Sequence, residues 1–294
     1  MNREKQAVVY ALSAVLIWST VATALTMTLR YISKEEMLLW AFSASFTVLG
    51  SMVLVTKRRE KLKQYLREHW RLTLLLGTIN PFIYYFTLFY AYELLPAQEA
   101  QAINYTWALM LAYLSVPMLG HSLMRKDIIA GILCYFGVLI IATHGDLLAL
   151  EFSSAKGVFV ALLSTVFWAL YWIIVTKLRE DTIVVLFANF SVGLAWIIVY
   201  ILLSHTEIHM ESNGMLGALY IGLFEMGVTF VLWGKALAMT TRISSISTLI
   251  FLSPIFSLVL IYFVAGEVIT GSTVVALGLI LLGLLIQQKK PKSR

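Results

Sequence analysis

Ten apolar runs follow one another along the chain and are separated by short polar segments. Each run has about the length of a membrane-crossing α-helix, which needs about 20 apolar residues. Strands of a membrane barrel would be shorter and would alternate apolar with polar residues, and these runs do not alternate. The pattern therefore predicts an all-α membrane protein with ten transmembrane helices. The runs cover residues 6–29, 36–56, 72–92, 97–118, 127–144, 157–176, 182–204, 214–233, 243–264 and 269–287.

The composition agrees with this interpretation and excludes two other classes of protein. Of the 294 residues, 60% are hydrophobic and 13% are charged, whereas soluble domains carry about 25% charged residues. A water-soluble globule would lack the polar surface it needs, and intrinsic disorder requires low hydrophobicity. Ten spans would use about 200 positions, which leaves no room for a folded soluble domain.

The basic residues indicate a membrane topology rather than a nucleic-acid partner, although the net charge is +6. Lys and Arg lie between the apolar runs, and cytoplasmic loops of membrane proteins are enriched in both. Residues 57–71 alone contain seven of the 22, so we predict a basic cytoplasmic loop there. Alternation of the loops then places 19 basic residues inside and three outside, with both termini cytoplasmic in the plasma (inner) membrane. The segment is alternatively an amphipathic helix on the anionic inner leaflet.

The two halves of the chain repeat each other weakly. Trp18 in ALSAVLIWST matches Trp168 in ALLSTVFWAL at an offset of 150, and an offset of 146 pairs Gly137 with Gly283. We therefore predict two units of five helices. Their boundaries are 1–150 and 151–294. Because five is odd, the second unit enters the membrane from the opposite side, which gives two inverted five-helix repeats. Such repeats place a substrate site near the bilayer midplane and allow alternating access.

Short motifs in both halves of the chain carry a resemblance to a known family. They are Trp18-Ser19-Thr20, Phe167-Trp168-Ala169, and Ser253-Pro254 followed by Gly266-Glu267. On these motifs the chain resembles the EamA-type ten-helix branch of the drug/metabolite transporter superfamily. The resemblance implies a basket of helices around a central cavity, with the fifth and tenth helices at the periphery. It also implies transport of small metabolites such as amino acids, amines or nucleotide sugars.

Within that branch, the stretch 101–107 (QAINYTW) is similar to the fourth helix of bacterial aromatic-amino-acid exporters. Gln101, Asn104 and Tyr105 have i, i+3, i+4 spacing and therefore share one helix face. A polar face on a helix in hydrocarbon is expected to point into the bundle. There its amides would bind a charged substrate, and the neighbouring Trp107 would stack with a ring or hold a cation. The alternative is that these groups form hydrogen bonds between helices.

Glu225 lies near the middle of the eighth apolar run. An ionised acid at bilayer depth costs about 2.5 kcal/mol or more on insertion scales, so Glu225 needs a partner, a proton or a water-filled cavity. We expect it to couple transport to protons or to bind a cationic substrate; the alternative is a structural acid paired between helices. Asn80, in the third run, lies next to the position that the offset of 146 matches with Glu225, and Pro81 is expected to kink that helix. Asn80 either lines a cavity with Glu225 or is a locally bonded amide beside the kink.

Aromatic residues in the middle of helices are further candidates. Trp18 and Trp168 lie well inside their runs, whereas interfacial Trp and Tyr concentrate at membrane surfaces. Trp168 and Tyr171 have i, i+3 spacing and are expected to form one wall of a pocket; the alternative is ordinary packing. Tyr84, in the third run, is also a candidate for the substrate site, while some tyrosines of that run are expected in the interfacial belt.

Motifs of other mechanisms are absent from the sequence. It contains neither a GxxxxGK[ST] phosphate loop nor a GxSxG nucleophile elbow, and its histidines lack the spacing of a zinc site. We therefore predict a secondary transporter that exports small polar metabolites, amino acids or related amines, and not an enzyme, with no cofactor or metal. Its partners are the small-molecule substrate and membrane lipid, not nucleic acid; monomer and homodimer both stay open. The alternatives are a structural or receptor-like subunit and an intramembrane enzyme that acts on a lipid-linked substrate.

Overall fold

The computed structural model describes residues 3–119, 125–147, 154–178, 180–239 and 249–288. Throughout these residues the regular secondary structure is helical, which confirms the predicted all-α class. We number the α-helices in chain order. They are α1 (Arg3–Leu29), α2 (Lys34–Val55), α3 (Arg59–Gly77), α4 (Tyr84–Leu94), α5 (Ala97–Asn104), α6 (Trp107–Leu119), α7 (Arg125–Ala142), α8 (Ala155–Leu178), α9 (Thr182–Ser204), α10 (Ser212–Tyr220), α11 (Phe230–Met239), α12 (Leu252–Leu260) and α13 (Gly271–Gln288).

Six helical stretches of the described residues are long and apolar enough to cross a membrane. Three shorter apolar helices, at Ile128–Ile141, Leu252–Ala265 and Gly271–Ile286, correspond to the predicted fifth, ninth and tenth spans. The fourth predicted span, 97–118, is divided between α5 and α6. The first part of the ninth, 243–248, lies outside the described residues. The chain is a multi-pass membrane protein, and the count of ten spans stays a prediction.

The basic segment 57–71, predicted as a loop, is helical from Arg59 onward. It forms the first part of α3, which continues through a π-helix at Thr78–Ile83 into α4. The reason is that its sparse apolar residues share one face: Tyr65 is buried against Val184 of α9, while the charged side chains stay mostly exposed. The segment is therefore an amphipathic helix, as in the alternative interpretation, whose placement on the inner leaflet stays a prediction.

Two membrane helices are interrupted by π-helical segments at equivalent places. The third contains Thr78–Ile83, in which Asn80 has non-helical backbone angles (φ −143°, ψ 119°). This break lies at Pro81 and confirms the predicted kink. The eighth contains Ile221–Thr229, which carries Glu225. The two segments end at positions that differ by 146, the offset that relates the two halves of the sequence. Breaks of this kind occur frequently at functional sites.

Helices of the first half pack mainly on helices of the second half. If each helix is replaced by its counterpart in the other half, the same helix pairs result. The second and seventh helices, α2 and α9, pack on each other. The third helix packs on α8 through α4, and the eighth packs on α1 in the same way through α10 and α11. Likewise α6 packs on α8 as α12 packs on α1. This exchange symmetry is the architecture expected of two related repeats.

The contact between α7 and α13 shows the same symmetry at the level of single atoms. A Cβ built on Gly137 of α7 would lie 2.8 Å from the carbonyl oxygen of Ala276, and one built on Gly283 of α13 would lie 2.8 Å from that of Ala130. The two contacts are related by the offset of 146. Small residues allow this close approach of helices in membranes. Apart from each other, α7 and α13 pack mainly on α5 and α6, so both lie beside the rest of the bundle.

Large apolar side chains are exposed on the outside of the bundle. Val55, Phe263, Leu203 and Phe159 are each at least 65% exposed. Soluble monomers rarely expose apolar patches beyond a few hundred Å², whereas lipid tails accept such a surface. The outer surface is therefore that of a protein in a bilayer.

Candidate functional site

A cavity of about 100 Å³ lies between the two halves of the bundle. It is lined by residues of α1, α4, α5, α6, α8, the π-helical segment of the eighth helix and the short helix Leu249–Phe251. Eight of the ten residues predicted for the substrate site line it: Trp18, Tyr84, Gln101, Asn104, Tyr105, Trp107, Trp168 and Glu225. The remaining lining residues are Val21, Ala22, Leu25, Leu88, Tyr92 and Ile250.

Trp168 is at the centre of an aromatic wall. Its ring centroid lies 4.5 Å from that of Tyr84 and 6.3 Å from that of Trp107. Phe230 packs behind it at 5.7 Å and also contacts Trp18 at 6.1 Å. Pairs at these separations and tilts are favourable beyond the area that they bury, by about 0.5–1.5 kcal/mol each. The rings therefore support one another and form a preorganised surface around the cavity.

The fourth helix supplies the amide groups of the cavity. Gln101 and Asn104 lie on α5, and Tyr105 follows in the turn before α6. The Nδ2 atom of Asn104 donates a hydrogen bond to Oγ of Ser164 at 3.2 Å, which fixes the orientation of its amide against α8. The predicted shared face of these three residues therefore points into the bundle.

The N-terminal end of α5 is held by hydrogen bonds to the second half of the chain. The backbone N–H of Ala97 donates to Oε1 of Glu267 at 3.0 Å, and Nε2 of Gln98 donates to the carbonyl oxygen of Val268 at 3.0 Å. A carboxylate at a helix N-terminus satisfies unpaired backbone N–H groups and interacts favourably with the helix dipole. The amide-bearing helix is thus anchored across the boundary between the halves.

Among the described residues that line the cavity, Glu225 is the only one with a carboxyl group, and 7% of its surface is exposed. In the described part of the chain, it has no ion-pair partner, and its Oε2 atom has no hydrogen-bond partner. Four tyrosines lie within electrostatic range of the carboxyl group. They are Tyr84, Tyr85 and Tyr92 of α4 and Tyr105. The acid therefore faces hydroxyl groups and aromatic rings rather than a basic residue.

Two predicted residues, Asn80 and Tyr171, lie outside the cavity in a neighbouring polar layer. Both are 1% exposed. The Tyr171 hydroxyl accepts a hydrogen bond from Nδ2 of Asn189 at 3.2 Å, and Asn80 lies near the same hydroxyl group. The predicted pairing of Trp168 with Tyr171 in one wall is not observed, because Tyr171 points to this layer while Trp168 points to the cavity.

Sequence reasoning found one member of each of two stripes of lining residues, Tyr84 and Trp18, and missed the others. Tyr84, Leu88 and Tyr92 follow i, i+4, i+8 spacing, so they form one face of α4. Trp18, Val21, Ala22 and Leu25 likewise follow i, i+3, i+4, i+7 spacing on α1. Extending the helical period from each predicted aromatic residue would have found both stripes.

Comparison with known proteins agrees with this architecture. The EamA-like transporter family matches residues 5–143 and 155–287, one match in each half. An uncharacterized transporter in the sor 3′ region of Acidianus ambivalens is 26% identical over 211 residues, which cover 70% of this chain and 80% of that protein. The uncharacterized transporter YvbV of Bacillus subtilis (strain 168) is 24% identical over 261 residues, covering 86% and 83%.

A solved crystal structure has the same fold, with a TM-score of 0.70 at 20% identity over 96% of each chain. The family match spans nearly the whole sequence and includes both cavity-forming halves. On this ground the chain belongs to the EamA-like transporter family.

Proposed function

We propose that the protein is a secondary transporter that exports small polar metabolites, amino acids or related amines, by alternating access. The proposal depends above all on one observation: the buried carboxyl group of Glu225 faces an aromatic cavity between the two halves of the bundle. An ionisable group at membrane depth is costly and is therefore usually functional. Transport gives Glu225 a role that a structural or receptor-like subunit would not require.

Ammonium groups match the chemistry of this cavity. Trp18, Trp107 and Trp168 line it together with a carboxyl group, and an aromatic face attracts a cation by about 0.5–2 kcal/mol. The lining residues that belong to the described part of the chain include no Lys or Arg to bind a carboxylate. The amides of Gln101 and Asn104 are the groups left to bind the carboxylate or hydroxyl groups of a substrate. The cavity therefore favours amines, and it accepts amino acids through both groups.

The packing between the halves supports alternating access. Inverted repeats have two equivalent ways to pack, and exchange between them opens a midplane site to each side in turn. In this chain the helix pairs between the halves are the same after exchange of the halves. Rocking of one half against the other would then carry the cavity from one side to the other. The distribution of basic residues supports a plasma-membrane protein with both termini in the cytoplasm.

Glu225 provides a means of coupling transport to the proton gradient. A buried carboxylate is unfavourable unless it is paired or protonated. A cationic substrate pairs with the carboxylate on one half of the cycle, and a proton neutralises it on the other. One proton then enters for each amine that leaves. Facilitated diffusion, in which Glu225 binds the substrate without proton exchange, would give flux that does not depend on a pH gradient.

The test is transport by purified protein in liposomes, with radiolabelled amino acids and organic amines supplied one at a time. We expect uptake of at least one amine, and we expect a pH gradient that drives protons out of the liposomes to accelerate it. Glu225→Gln keeps the size of the side chain and removes its charge, and we expect it to abolish this acceleration. Glu60→Gln is the matched control, because the Glu60 side chain is 84% exposed on α3.

Two outcomes would contradict the proposal. Flux of no compound above that of empty liposomes would refute a transport function. Flux of Glu225→Gln equal to that of the wild type at every pH would remove Glu225 from the mechanism. Elution of both variants at the wild-type position in size-exclusion chromatography shows that each is folded.

A further inference from the structure

Outside the cavity lining, several buried polar side chains form a succession of interacting groups that begins at Glu225. Among the buried side-chain atoms without a hydrogen-bond partner in the described residues are the hydroxyl oxygens of Tyr85 and Tyr65, Oδ1 of Asn80, Oδ1 of Asn189 and Oε2 of Glu225. All five residues are at most 7% exposed. Orphaned polar atoms are rare in folded proteins, and water usually satisfies those that exist. They are five of the ten such atoms in the described residues, and their side chains interact with Tyr171 or with Tyr85.

The first step of this line leaves the cavity through α4. The side chain of Tyr85 faces the carboxyl group of Glu225. Tyr85 points into the bundle, where its ring packs on Phe42 and Phe89 and is 1% exposed. It also lies within electrostatic range of Tyr171 on α8. Tyr85 therefore connects the acid in the cavity with the neighbouring polar layer.

The second step is the layer around Tyr171. Asn189 of α9 donates to the Tyr171 hydroxyl, and Asn80 approaches it from the π-helical segment of the third helix. This segment packs closely on α9, because a Cβ on Gly193 would lie 2.4 Å from Cγ of Pro81. Three helices thus converge on one hydroxyl group, and two amide oxygens there have no protein partner.

The third step reaches the face that carries the basic part of α3. Tyr65, 2% exposed, lies within electrostatic range of Tyr171. Its ring centroid is 5.3 Å from that of His69, and Nε2 of His69 lies 3.6 Å from Oε1 of Glu180. The His69 and Glu180 side chains are 30% and 37% exposed, so the line ends at water.

We infer that Glu225, Tyr85, Tyr171 and Tyr65, with water held by Asn80 and Asn189, form a proton pathway from the cavity to the basic face. A tyrosine hydroxyl both donates and accepts a hydrogen bond. It can therefore take a proton from one neighbour while it releases its own to the next, so that no net charge stays on the ring. The amides cannot relay a proton in this way, but they orient the water between the hydroxyls. We call these six residues the polar track.

The polar track deepens the proposed function, on which it rests for its purpose. It gives Glu225 proton exchange with the basic face that is independent of the opening of the cavity. The other titratable groups that face Glu225 are Tyr84, Tyr92 and Tyr105. These three line the cavity itself, and so they do not lead toward the basic face.

The sidedness of proton exchange can be measured without a transported substrate. Dicyclohexylcarbodiimide modifies carboxylic acids in their protonated form and reaches them through lipid. The full-length protein is reconstituted in sealed vesicles, and tryptic cleavage of an aliquot identifies vesicles with the basic part of α3 outside. The pH is then set independently on the two sides, and modification of Glu225 is followed by mass spectrometry.

We expect the rate of modification to follow the pH of the basic face. On the alkaline side of a titration, each pH unit lowers the protonated fraction about tenfold. The same change on the opposite face should leave the rate within about twofold of its starting value. Tyr171→Phe and Tyr65→Phe each remove one hydroxyl and keep the ring, and we expect each to abolish the dependence on the basic face. Tyr200→Phe on α9 is the matched control and should behave as the wild type.

A wild-type rate that follows only the opposite face would overturn the proton pathway. So would a rate in both track variants that keeps the wild-type dependence on the basic face. A variant that fails to fold is recognised by size-exclusion chromatography, and the other variant then decides. Amine flux without this sidedness would leave the proposed transport function standing and refute the track alone. Dependence of the modification rate on the pH of the basic face, without flux of any compound, would support the track and refute the transport function.

Discussion

Gly222 lies where the second and eighth helices leave the least space for a side chain. A Cβ on Gly222 would lie 2.1 Å from the carbonyl oxygen of Ala41 and 2.8 Å from its Cα. The obstacle is backbone, which cannot rotate away as a side chain can. In addition, Oγ of Ser45 donates to the carbonyl oxygens of both Gly222 and Ala41, at 2.8 and 2.9 Å. Gly222→Ala must therefore push α2 away from the π-helical segment.

The expected cost of Gly222→Ala follows from these two contacts. Overpacking of a close-packed core costs about 1–3 kcal/mol. Loss of the hydrogen bond from Ser45 adds about 0.5–1.5 kcal/mol. The free energy of unfolding should therefore fall by about 1.5–4.5 kcal/mol. Because Glu225 lies on the same segment, three residues further on, the transport rate should fall with it.

Gly278→Ala is the matched control for this prediction. Gly278 lies within α13, and a Cβ there would have no neighbour within 4 Å. Alanine has the higher helix propensity, so this change should stabilise the protein by up to about 1 kcal/mol. Both variants are unfolded by titration with sodium dodecyl sulfate in mixed micelles, with tryptophan fluorescence as the signal. An unfolding midpoint of Gly222→Ala equal to or above that of Gly278→Ala would refute the close backbone contact.

Two further predictions concern the cavity and the loop before α9. Trp107→Ala should raise the apparent KM for an amine about 2- to 30-fold, since it removes one cation–aromatic contact. Asn104→Ala should also raise this KM. An unchanged KM of both variants in liposome uptake would assign both residues to packing. Asp181 accepts from the backbone N–H of Ile183 and pairs with Arg58. In the same unfolding assay, Asp181→Asn removes the ion pair but keeps the helix cap, and it should lower the free energy of unfolding by at most about 1 kcal/mol. Asp181→Ala also removes the cap and should lower it by about a further 0.5–2 kcal/mol. Equal losses in the two variants would show that capping is not the main role of Asp181.

The cavity lining was largely predictable because it depends on local periodicity. Gln101, Asn104 and Tyr105 share a face by their spacing alone, and a polar face in lipid must turn inward. Glu225 was recognisable for a similar reason, since an acid in an apolar run has few stable environments. For Tyr92 the same argument was available, but tyrosine also suits the membrane interface. A residue type that fits two environments cannot be assigned to one of them without its neighbours.

The polar track was not predictable, because its members come from helices that the sequence does not bring together. Asn80, Tyr171 and Asn189 lie on three different helices, and each is individually an ordinary buried polar residue. Only the packing of the π-helical segment of the third helix on α8 and α9 places them around one hydroxyl group. The helical form of the basic segment has the same origin. Its charges suit a loop, and it is the burial of Tyr65 against α9 that makes a helix there stable.

The two-fold repeat shows how a weak pattern in the sequence acquires physical meaning in the structure. Alignment of Gly137 with Gly283 is poor evidence by itself, because small residues match by chance in apolar sequences. In the structure each glycine lies against the backbone carbonyl of the other helix, at Ala276 and Ala130, and these two alanines are related by the same offset. The first glycine contacts the second helix at the same relative position at which the second glycine contacts the first helix. Such a reciprocal pair of contacts requires the two helices to meet about a local two-fold axis. The offset of 146 therefore corresponds to a steric requirement at the α7–α13 contact, where any larger side chain at either glycine would separate the helices.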